Sequence, residues 1–419
     1  MGSGIACHFA NIGLEVIMLD ILPRDLSEAE KNQPAARNRM ADSALKKAIK
    51  SKPAPLYQKD LASRITTGNF EDDFDKISDC DWVIEVVIER LDIKQKVFEQ
   101  VEQHRRPGSL ITSNTSGIPI NLMLDGRSDD FKKHFCGTHF FNPPRYMRLL
   151  EIIPTPETDP EVIDFFMHYG DVYLGKQTVL CKDTPAFIAN RVGVYAMAKI
   201  YQLTTELGLR IEAVDKLTGP TIGRPKTGTF RLGDLVGHDT AVNVIKGLKE
   251  NCPDDEQAST FEIPKYLEFL IENNYLGNKT GQGFYKKTKE KDEKGKRVIL
   301  ALNLETLEYE PSQKPDLPSL KATKQIDKLD KRVQAMFDAD DKGGELVRRS
   351  LLGLFAYVSN RIPEISDNLY SIDDAMKAGY AWEIGPFEYW DMIGIEKGIQ
   401  MAEADRKSTR LNSSHYRTS

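Results

Sequence analysis

The stretch that decides the fold is Leu14-Glu15-Val16-Ile17-Met18-Leu19-Asp20, an apolar run that ends in a carboxylate. It follows Gly2-Ser3-Gly4-Ile5-Ala6-Cys7-His8-Phe9-Ala10, which is typical of the opening of a helix. A helix leading into a buried strand with a terminal acid forms the second half of a dinucleotide-binding βαβ unit, where the acid holds the ribose hydroxyls. We therefore predict an α/β Rossmann-type domain with Gly2 and Asp20 beside a dinucleotide.

The glycine turn of that unit is incomplete. The first strand and the first two glycines of Gly-x-Gly-x-x-Gly are not seen, and Gly2 stands at the third glycine. We expect the first strand to be missing and dinucleotide binding to be weakened, because the turn supplies backbone N–H groups to the pyrophosphate. The alternative is that Met1 to Gly4 are an added leader. At the other end, residues 406–419 lack periodicity and are predicted to be an artefactual tail.

Strand-like and helical runs alternate after residue 20, a pattern that indicates a mostly parallel sheet. Because ligands bind at the carboxyl ends of such strands, we expect Glu89, Ser116 and His139, which fall at strand ends, to face a site. The predicted helix is 91–103, and the predicted strands are 81–87, 110–116 (running into a polar turn), 134–141 and 149–153.

A second informative stretch is Gly137-Thr138-His139-Phe140-Phe141-Asn142-Pro143-Pro144, followed by Leu149-Leu150-Glu151-Ile152-Ile153. A carboxylate inside an aliphatic strand would cost several kcal/mol if it were buried unpaired, so Glu151 needs a partner. His139 is the nearest candidate. A buried Glu fixes the tautomer of a His and raises its basicity, as a general base near neutral pH requires. The alternative is a structural ion pair between two strands.

Helical patterns dominate from residue 183 and contain an internal echo. Asn190-Arg191 resembles Asn360-Arg361, and Gly228-Thr229-Phe230 resembles Gly385-Pro386-Phe387. Such repeats predict duplicated helical modules. We read the charged residues 286–296 as a loop and 297–309 as a small hairpin. The predicted domains are 1–181 (Rossmann-like), 182–288 (all-α), 289–342 (linker and hairpin) and 343–405 (second all-α repeat).

Composition excludes several classes of protein. The 57 basic and 63 acidic residues are interspersed and give a net charge of −6, which argues against a nucleic-acid-binding surface. The five cysteines lack a Cys-x-x-Cys pair, so we predict reduced thiols and no metal site. No apolar run is long enough to span a membrane and no signal peptide is visible, so a cytoplasmic location is expected.

Together these motifs resemble the NAD-dependent 3-hydroxyacyl-CoA dehydrogenases of fatty-acid β-oxidation, over roughly residues 1–405. The motifs that carry the resemblance are Ser113-Asn114-Thr115-Ser116, the segment from Gly137 to Pro143, Glu151, Phe187-Ile188-Ala189-Asn190-Arg191 and Gly281-Gln282-Gly283-Phe284-Tyr285. The duplicated helical pattern resembles the longer members, in which an enoyl-CoA hydratase domain is joined to the dehydrogenase. The resemblance therefore implies a fragment of such a bifunctional enzyme, and a homodimer.

The family's roles imply that His139 takes the proton of the substrate's 3-hydroxyl and that Glu151 orients His139. Ser116 and Asn190 would hydrogen-bond the reacting oxygens. Asn142 is expected to hold the catalytic loop and is grouped with the residues near CoA. The resemblance also implies that Ser43 and Lys50, on the helix 43–50, contact CoA, although a solvated surface is the alternative for this Lys-rich helix.

For the cofactor, the resemblance implies NAD, held by Gly2, Asp20, Glu89, Lys94, Asn114, Ser116 and Lys279. An acid at position 20 would repel a 2′-phosphate, which favours NAD over NADP. For Lys279, an exposed loop lysine is the alternative. Two alternative functions are a non-catalytic NAD- or acyl-CoA-binding protein on the same fold and a different Rossmann dehydrogenase. The presence of His139 with Glu151 argues against both.

Overall fold

A computed structural model describes residues 1–404 of the chain. The predicted tail at 406–419 lies outside these residues. The chain divides into two compact units, and the first ends at Phe187 rather than at the predicted residue 181. Each unit is described by itself.

The first unit contains parallel sheets flanked by helices. Strands β1 and β2 pair in parallel, and β3 to β7 form a five-stranded sheet in sequence order, parallel except between β5 and β6. The strands are β1 Val16–Asp20, β2 Ile65–Asn69, β3 Trp82–Glu85, β4 Leu110–Ser113, β5 Phe135–Phe140, β6 Leu149–Pro154 and β7 Gln177–Leu180. The helices are α1 Gly2–Asn11, α2 Pro34–Arg37, α3 Arg39–Lys50, α4 Leu91–His104, α5 Asp129–Lys133 and α6 Pro160–Val172. The predicted mostly parallel sheet is confirmed.

Helix α1 packs on this sheet through its apolar side. Phe9 contacts Trp82, with ring centroids 5.1 Å apart, and Trp82 contacts Phe166 of α6 at 4.9 Å. These rings join a buried core that includes Phe140 and Ile152 of the central strands. A short connection, residues 12–15, joins α1 to β1, so the start of α1 lies near the carboxyl end of β1.

The second unit is mainly helical. Its helices are α7 Ala189–Leu207, α8 Ile211–Leu217, α9 Phe230–Val236, α10 His238–Asn251, α11 Lys265–Glu272, α12 Pro318–Thr323, α13 Leu329–Phe337, α14 Lys342–Asn360, α15 Leu369–Gly379 and α16 Pro386–Ile393. Its strands are β8 Tyr285–Lys291, β9 Arg297–Leu302 and β10 Tyr309–Pro311.

Strands β9 and β10 pair antiparallel and confirm the hairpin predicted at 297–309, whereas β8 corrects another prediction. Residues 286–296 are not a loop, since β8 covers most of the charged run and pairs antiparallel with β9. The unit is therefore not purely α-helical. Five of the seven β8 residues are lysine or glutamate, and the outer ones are exposed, which hides the strand from a hydrophobicity pattern. Likewise, the predicted linker 289–342 contains α12 and α13.

The two internal echoes have different outcomes. The two Asn-Arg pairs do not occupy equivalent positions, so this part of the predicted repeat is wrong. Asn190 lies in the first turn of α7, whereas Asn360 is the last residue of α14. The second echo marks matching contacts: the carboxylate of Asp215 accepts from the backbone N–H groups of Phe230 and Arg231. In the same way Asp373 accepts from those of Phe387 and Glu388. The duplication itself stays a prediction.

Residues 1–404 contain no helix that is both long enough and apolar enough to cross a membrane.

Candidate active site

His139 and Glu151 face each other across two antiparallel strands. The register of β5 and β6 places them directly opposite. His139 Nδ1 lies 2.7 Å from Glu151 Oε2, and the side chains are 7% and 0% exposed. Because a carboxylate only accepts, Nδ1 carries the proton of the neutral ring and Nε2 is the basic nitrogen. The predicted His–Glu contact is confirmed.

Aromatic rings surround this pair. Phe141, on the loop after β5, lies with its ring centroid 4.6 Å from that of His139, and Phe187 lies at 5.7 Å. These rings restrict water around the dyad, so the attraction between a charged imidazole and Glu151 is stronger than it would be in bulk water. The imidazole is thus held in one orientation and one tautomer.

The turn that contains Ser116 is tied to the strand that contains His139. Asn114 Oδ1 accepts from the backbone N–H of Phe140 at 2.9 Å. The predicted role of Asn114 at the cofactor stays a prediction. Ser116 follows two residues later and is partly buried. The structure therefore brings Ser116 and His139 to the same edge of the sheet.

Glu89 organises this turn. Its Oε1 accepts from the Thr115 hydroxyl at 2.6 Å and from the backbone N–H groups of Ser116 and Gly117 at 2.9 and 3.2 Å. Burial would raise the pKa of Glu89, but Lys94 and these hydrogen bonds outweigh it and lower the pKa below its ordinary value. Glu89 is therefore an anion at neutral pH.

Glu85 is a buried carboxylate that sequence reasoning missed, and Lys94 links it to Glu89. Lys94 Nζ donates to both carboxylate oxygens of Glu85, at 2.9 and 3.0 Å, and lies 3.3 Å from Glu89. Ser113 Oγ donates to Glu85 at 2.6 Å. The predicted Glu89–Lys94 pair is thus part of a larger network. The available signal was Glu85 itself, an acid inside the strand-like run 81–87.

The residues predicted at the dinucleotide also lie at this edge. Gly2 begins α1, and a Cβ added there would lie 3.7 Å from Val86, just after β3. That is an ordinary contact, so the structure does not support a need for glycine there for close packing. Gly4 is tighter, since an added Cβ would lie 3.1 Å from Pro144. Asp20 ends β1 and accepts from the N–H of Ile21 at 2.8 Å.

The residues predicted near CoA are exposed. Ser43 and Lys50 lie on α3, seven positions apart and therefore on one side of the helix. Asn142 lies in the loop between β5 and β6, also exposed. Solvent access is compatible with both the CoA contact and the surface alternative.

Two predicted residues belong to the second unit. Asn190 is partly buried near the start of α7. Lys279 lies in the turn before β8, where its ammonium pairs with Asp239 and its side chain is 44% exposed. Their predicted roles toward substrate and cofactor stay predictions.

Two cations that sequence reasoning missed hold the loop between His139 and Glu151. Lys176 is buried, and its Nζ donates to the carbonyls of Pro144 and Met147. Arg145 donates to the carbonyls of Ala54 and Leu56 at 2.7 and 2.8 Å. Burial lowers the pKa of Lys176 to about 8. No sequence motif indicates either contact.

No group of three or more His, Cys, Asp or Glu side chains that could hold a metal ion occurs in the part of the chain that the structure describes.

Two family models match consecutive parts of this chain. Residues 1–184 match the model of the 3-hydroxyacyl-CoA dehydrogenase NAD binding domain, and residues 187–287 match that of the C-terminal domain. A probable 3-hydroxyacyl-CoA dehydrogenase of Bacillus subtilis is 45% identical over 409 residues, covering 96% of this chain but 51% of the relative. One of Deinococcus radiodurans is 43% identical, covering 71% of this chain and 82% of that protein.

Among solved structures, 3-hydroxybutyryl-CoA dehydrogenase of Escherichia coli aligns with a TM-score of 0.66 and 22% identity, covering 95% of this chain and 90% of that one. This likeness shows the fold. The chain spans about half the length of the Bacillus relative. Two family models in consecutive order and the Deinococcus relative decide the assignment. The chain belongs to the 3-hydroxyacyl-CoA dehydrogenase family.

Proposed function

We propose that this chain oxidises (S)-3-hydroxyacyl-CoA to 3-oxoacyl-CoA with NAD⁺, as a step of fatty-acid β-oxidation. The observation that supports this most is the buried His139–Glu151 pair, with Nδ1 and Oε2 2.7 Å apart. The pair lies at the carboxyl edge of the sheet in a domain that matches the family's NAD binding domain. A general base at that edge suits removal of a hydroxyl proton.

In this proposal His139 Nε2 accepts the proton of the 3-hydroxyl. Glu151 holds the ring through Nδ1 and stabilises the imidazolium that forms. Ser116 and Asn190 are the proposed hydrogen-bond donors to the oxygen at C3. NAD, when bound, supplies the acceptor for the hydride that leaves C3. In the reverse direction the protonated His139 returns the proton to the 3-oxo oxygen.

The residues present fit NAD. The start of α1 and the carboxylate of Asp20 lie at the same edge of the first unit, as a pyrophosphate and a ribose require. Gly2 and Asp20 would hold those groups, while Glu89, Lys94, Asn114 and Ser116 would line the nicotinamide end. Lys279 is a further proposed contact of the cofactor. Asp20 carries a charge that repels a 2′-phosphate, so NAD is preferred over NADP.

For the substrate, we infer that CoA lies along α3. Ser43 and Lys50 share one exposed side of that helix, and lysine suits the CoA phosphates. Asn142 supports the loop beside the acyl group. We also propose that the protein forms a homodimer, that it is joined to an enoyl-CoA hydratase domain and that it is cytoplasmic.

The test follows NADH formation at 340 nm with (S)-3-hydroxybutyryl-CoA as substrate. We expect turnover with NAD⁺, much less with NADP⁺, and none with free (S)-3-hydroxybutyrate, which lacks CoA. NAD⁺ is titrated to saturation so that weak binding is not mistaken for lack of catalysis. Acyl-CoA binding by calorimetry without turnover would instead favour the non-catalytic binding fragment. Turnover of the free acid would contradict the proposed substrate class.

A further inference from the structure

Side-chain contacts join two segments of the first unit that are far apart in sequence. Residues 53–57 follow α3 and lie outside the helices and strands, and we call them the α3 extension. Residues 141–148 form the loop between β5 and β6, which starts two residues after His139, and we call them the His139 loop. A link between these segments connects the helix proposed to bind CoA with the proposed general base.

Two side chains of the His139 loop donate to backbone carbonyls of the α3 extension. Arg145 Nη1 lies 2.7 Å from the carbonyl oxygen of Ala54 and 2.8 Å from that of Leu56. The Tyr146 hydroxyl donates to the Ala54 carbonyl at 2.8 Å. The Arg145 guanidinium also packs on the Tyr57 ring, with its Cζ 4.3 Å from the ring centroid. Because an irregular segment has no helix or sheet partners for its carbonyls, these donors fix its conformation.

The α3 extension is also held by α1 and packed against α3. The side chain of Asn11, the last residue of α1, donates to the carbonyl of Pro55 and accepts from the backbone N–H of Tyr57, both at 2.8 Å. Leu56 is buried in a core cluster against which Leu45 of α3 packs. A restraint on α3 therefore acts on the extension through packed side chains.

The His139 loop has a second anchor on its other side. The buried Lys176 ammonium donates to the carbonyls of Pro144 and Met147. The loop also carries Phe141, whose ring centroid lies 4.6 Å from that of His139. Contiguous chains of hydrogen bonds and packed side chains are what carry coupling between separate sites. Here such a chain runs from α3, through the extension and Arg145, to the ring beside the imidazole.

We propose that Arg145 is a positioning residue that links occupancy of the CoA site on α3 to the orientation of His139. This inference rests on the proposed function, in which CoA lies along α3. CoA bound there restrains α3 and its extension, and Arg145 passes the restraint to the His139 loop. Binding energy from a part of the substrate remote from C3 then orients the base, which raises kcat rather than lowering KM.

The kinetic test compares (S)-3-hydroxybutyryl-CoA with its N-acetylcysteamine thioester, which lacks the nucleotide, at saturating NAD⁺. We expect the wild-type kcat to be about tenfold higher for the CoA thioester. Arg145→Met should remove this advantage by lowering kcat for the CoA thioester alone, whereas a merely structural role would lower kcat for both substrates equally. Arg148→Met, which removes an exposed arginine of the same loop, is the matched control and should keep the advantage. An unchanged ratio of the two kcat values in Arg145→Met would overturn the proposal.

Tyr146→Phe keeps the proposal testable if Arg145→Met does not fold. This change removes only the hydroxyl that donates to the Ala54 carbonyl. It should reduce the kcat advantage of the CoA thioester about twofold, because one of the three hydrogen bonds between the segments is lost. A full advantage in Tyr146→Phe would contradict the link.

Hydrogen–deuterium exchange with coenzyme A alone tests the link without turnover. The amides of Tyr146 and Met147, which donate to the Pro143 carbonyl at 2.9 and 3.0 Å, report on the His139 loop. In the wild type, CoA should slow exchange in α3 and in this loop, and in Arg145→Met it should slow exchange in α3 only. Equal slowing in the loop of both proteins, or slowing in α3 alone in the wild type, would overturn the proposal. Exchange in α3 that CoA leaves unchanged would refute the CoA site itself, and this inference with it.

Discussion

Glu151→Gln should slow the reaction while leaving the fold intact. Glutamine has the shape of glutamate and can still accept a hydrogen bond from His139 Nδ1. It lacks the negative charge that stabilises the imidazolium formed when Nε2 takes the substrate proton. The change therefore acts on the transition state more than on the binding of the substrate.

The magnitude follows from the geometry. The Nδ1 to Oε2 distance is 2.7 Å and the Glu151 side chain is fully buried, so solvent does not weaken the interaction. A hydrogen bond to a charged group contributes about 1.5–3 kcal/mol, against about 1 kcal/mol for a neutral one. The difference, a loss of about 0.5–2 kcal/mol in the transition state, corresponds to a decrease in kcat of about 2- to 30-fold.

The assay is formation of NADH at saturating (S)-3-hydroxybutyryl-CoA and NAD⁺, with KM measured in parallel. We expect kcat to fall by that factor while KM changes less than threefold or so. Glu157→Gln, an exposed glutamate after β6, is the matched control and should keep full activity. A Glu151→Gln enzyme with unchanged kcat would refute the dyad and leave the pair as a structural contact.

Three further predictions follow from contacts in the first unit. Burial lowers the pKa of His8 to about 4 from its ordinary value of 6.5, so the unfolded chain takes up a proton first as the pH falls. Between pH 6.5 and 4, the free energy of unfolding of the wild type, measured in urea, should fall by about 3 kcal/mol more than that of His8→Gln. Unfolding free energies of the two proteins that change in parallel with pH would contradict this. An added Cβ at Gly137 would lie 2.9 Å from Ile153 Cδ1, so Gly137→Ala should lower the free energy of unfolding by about 1–3 kcal/mol. An unchanged midpoint of urea unfolding would contradict this and show that the strands move apart at little cost. Glu89→Gln removes the charge that orders the turn at Ser116 and should raise the Kd for NADH about tenfold, as measured by fluorescence. An unchanged Kd would show that Glu89 does not contribute to cofactor binding.

The sheet was predictable because its strands carry strong local signals. Residues 81–87 and 149–153 are mostly apolar runs, and they correspond to β3 and β6. Strand β7 was missed because its four residues, Gln177–Leu180, are too short and mixed to stand out. Strand β8 was missed because most of its side chains are charged and face solvent, so it has no apolar pattern in the sequence.

The contact between His139 and Glu151 was predictable because a buried carboxylate in an aliphatic strand needs a partner, and His139 was the nearest candidate. The supporting contacts were not predictable. Lys176 reaches the loop of Pro144 from 32 residues away, and Asn114 bonds the backbone of Phe140 from 26 residues away. Such long-range contacts to backbone carbonyls and N–H groups depend on strand order, which leaves no spacing pattern in the sequence.

The internal echo shows how local similarity misleads. The Asn-Arg dipeptides are alike as letters, but one opens a helix and the other closes one. The contacts of Asp215 and Asp373 are alike in geometry although the aspartates themselves were not part of the predicted motif. A carboxylate that receives two backbone N–H groups at a helix start is a more specific signature than a shared dipeptide.

The most direct test of the central claim is NADH oxidation with acetoacetyl-CoA by the wild type and by His139→Gln. The dyad predicts turnover by the wild type at saturating NADH and a loss of at least about 100-fold in kcat in the variant. His134→Gln, a partly exposed histidine just before β5, is the matched control and should remain active. NADH binding, measured by fluorescence, should be the same in all three proteins. A His139→Gln protein that binds NADH and turns over at the wild-type rate would contradict the account.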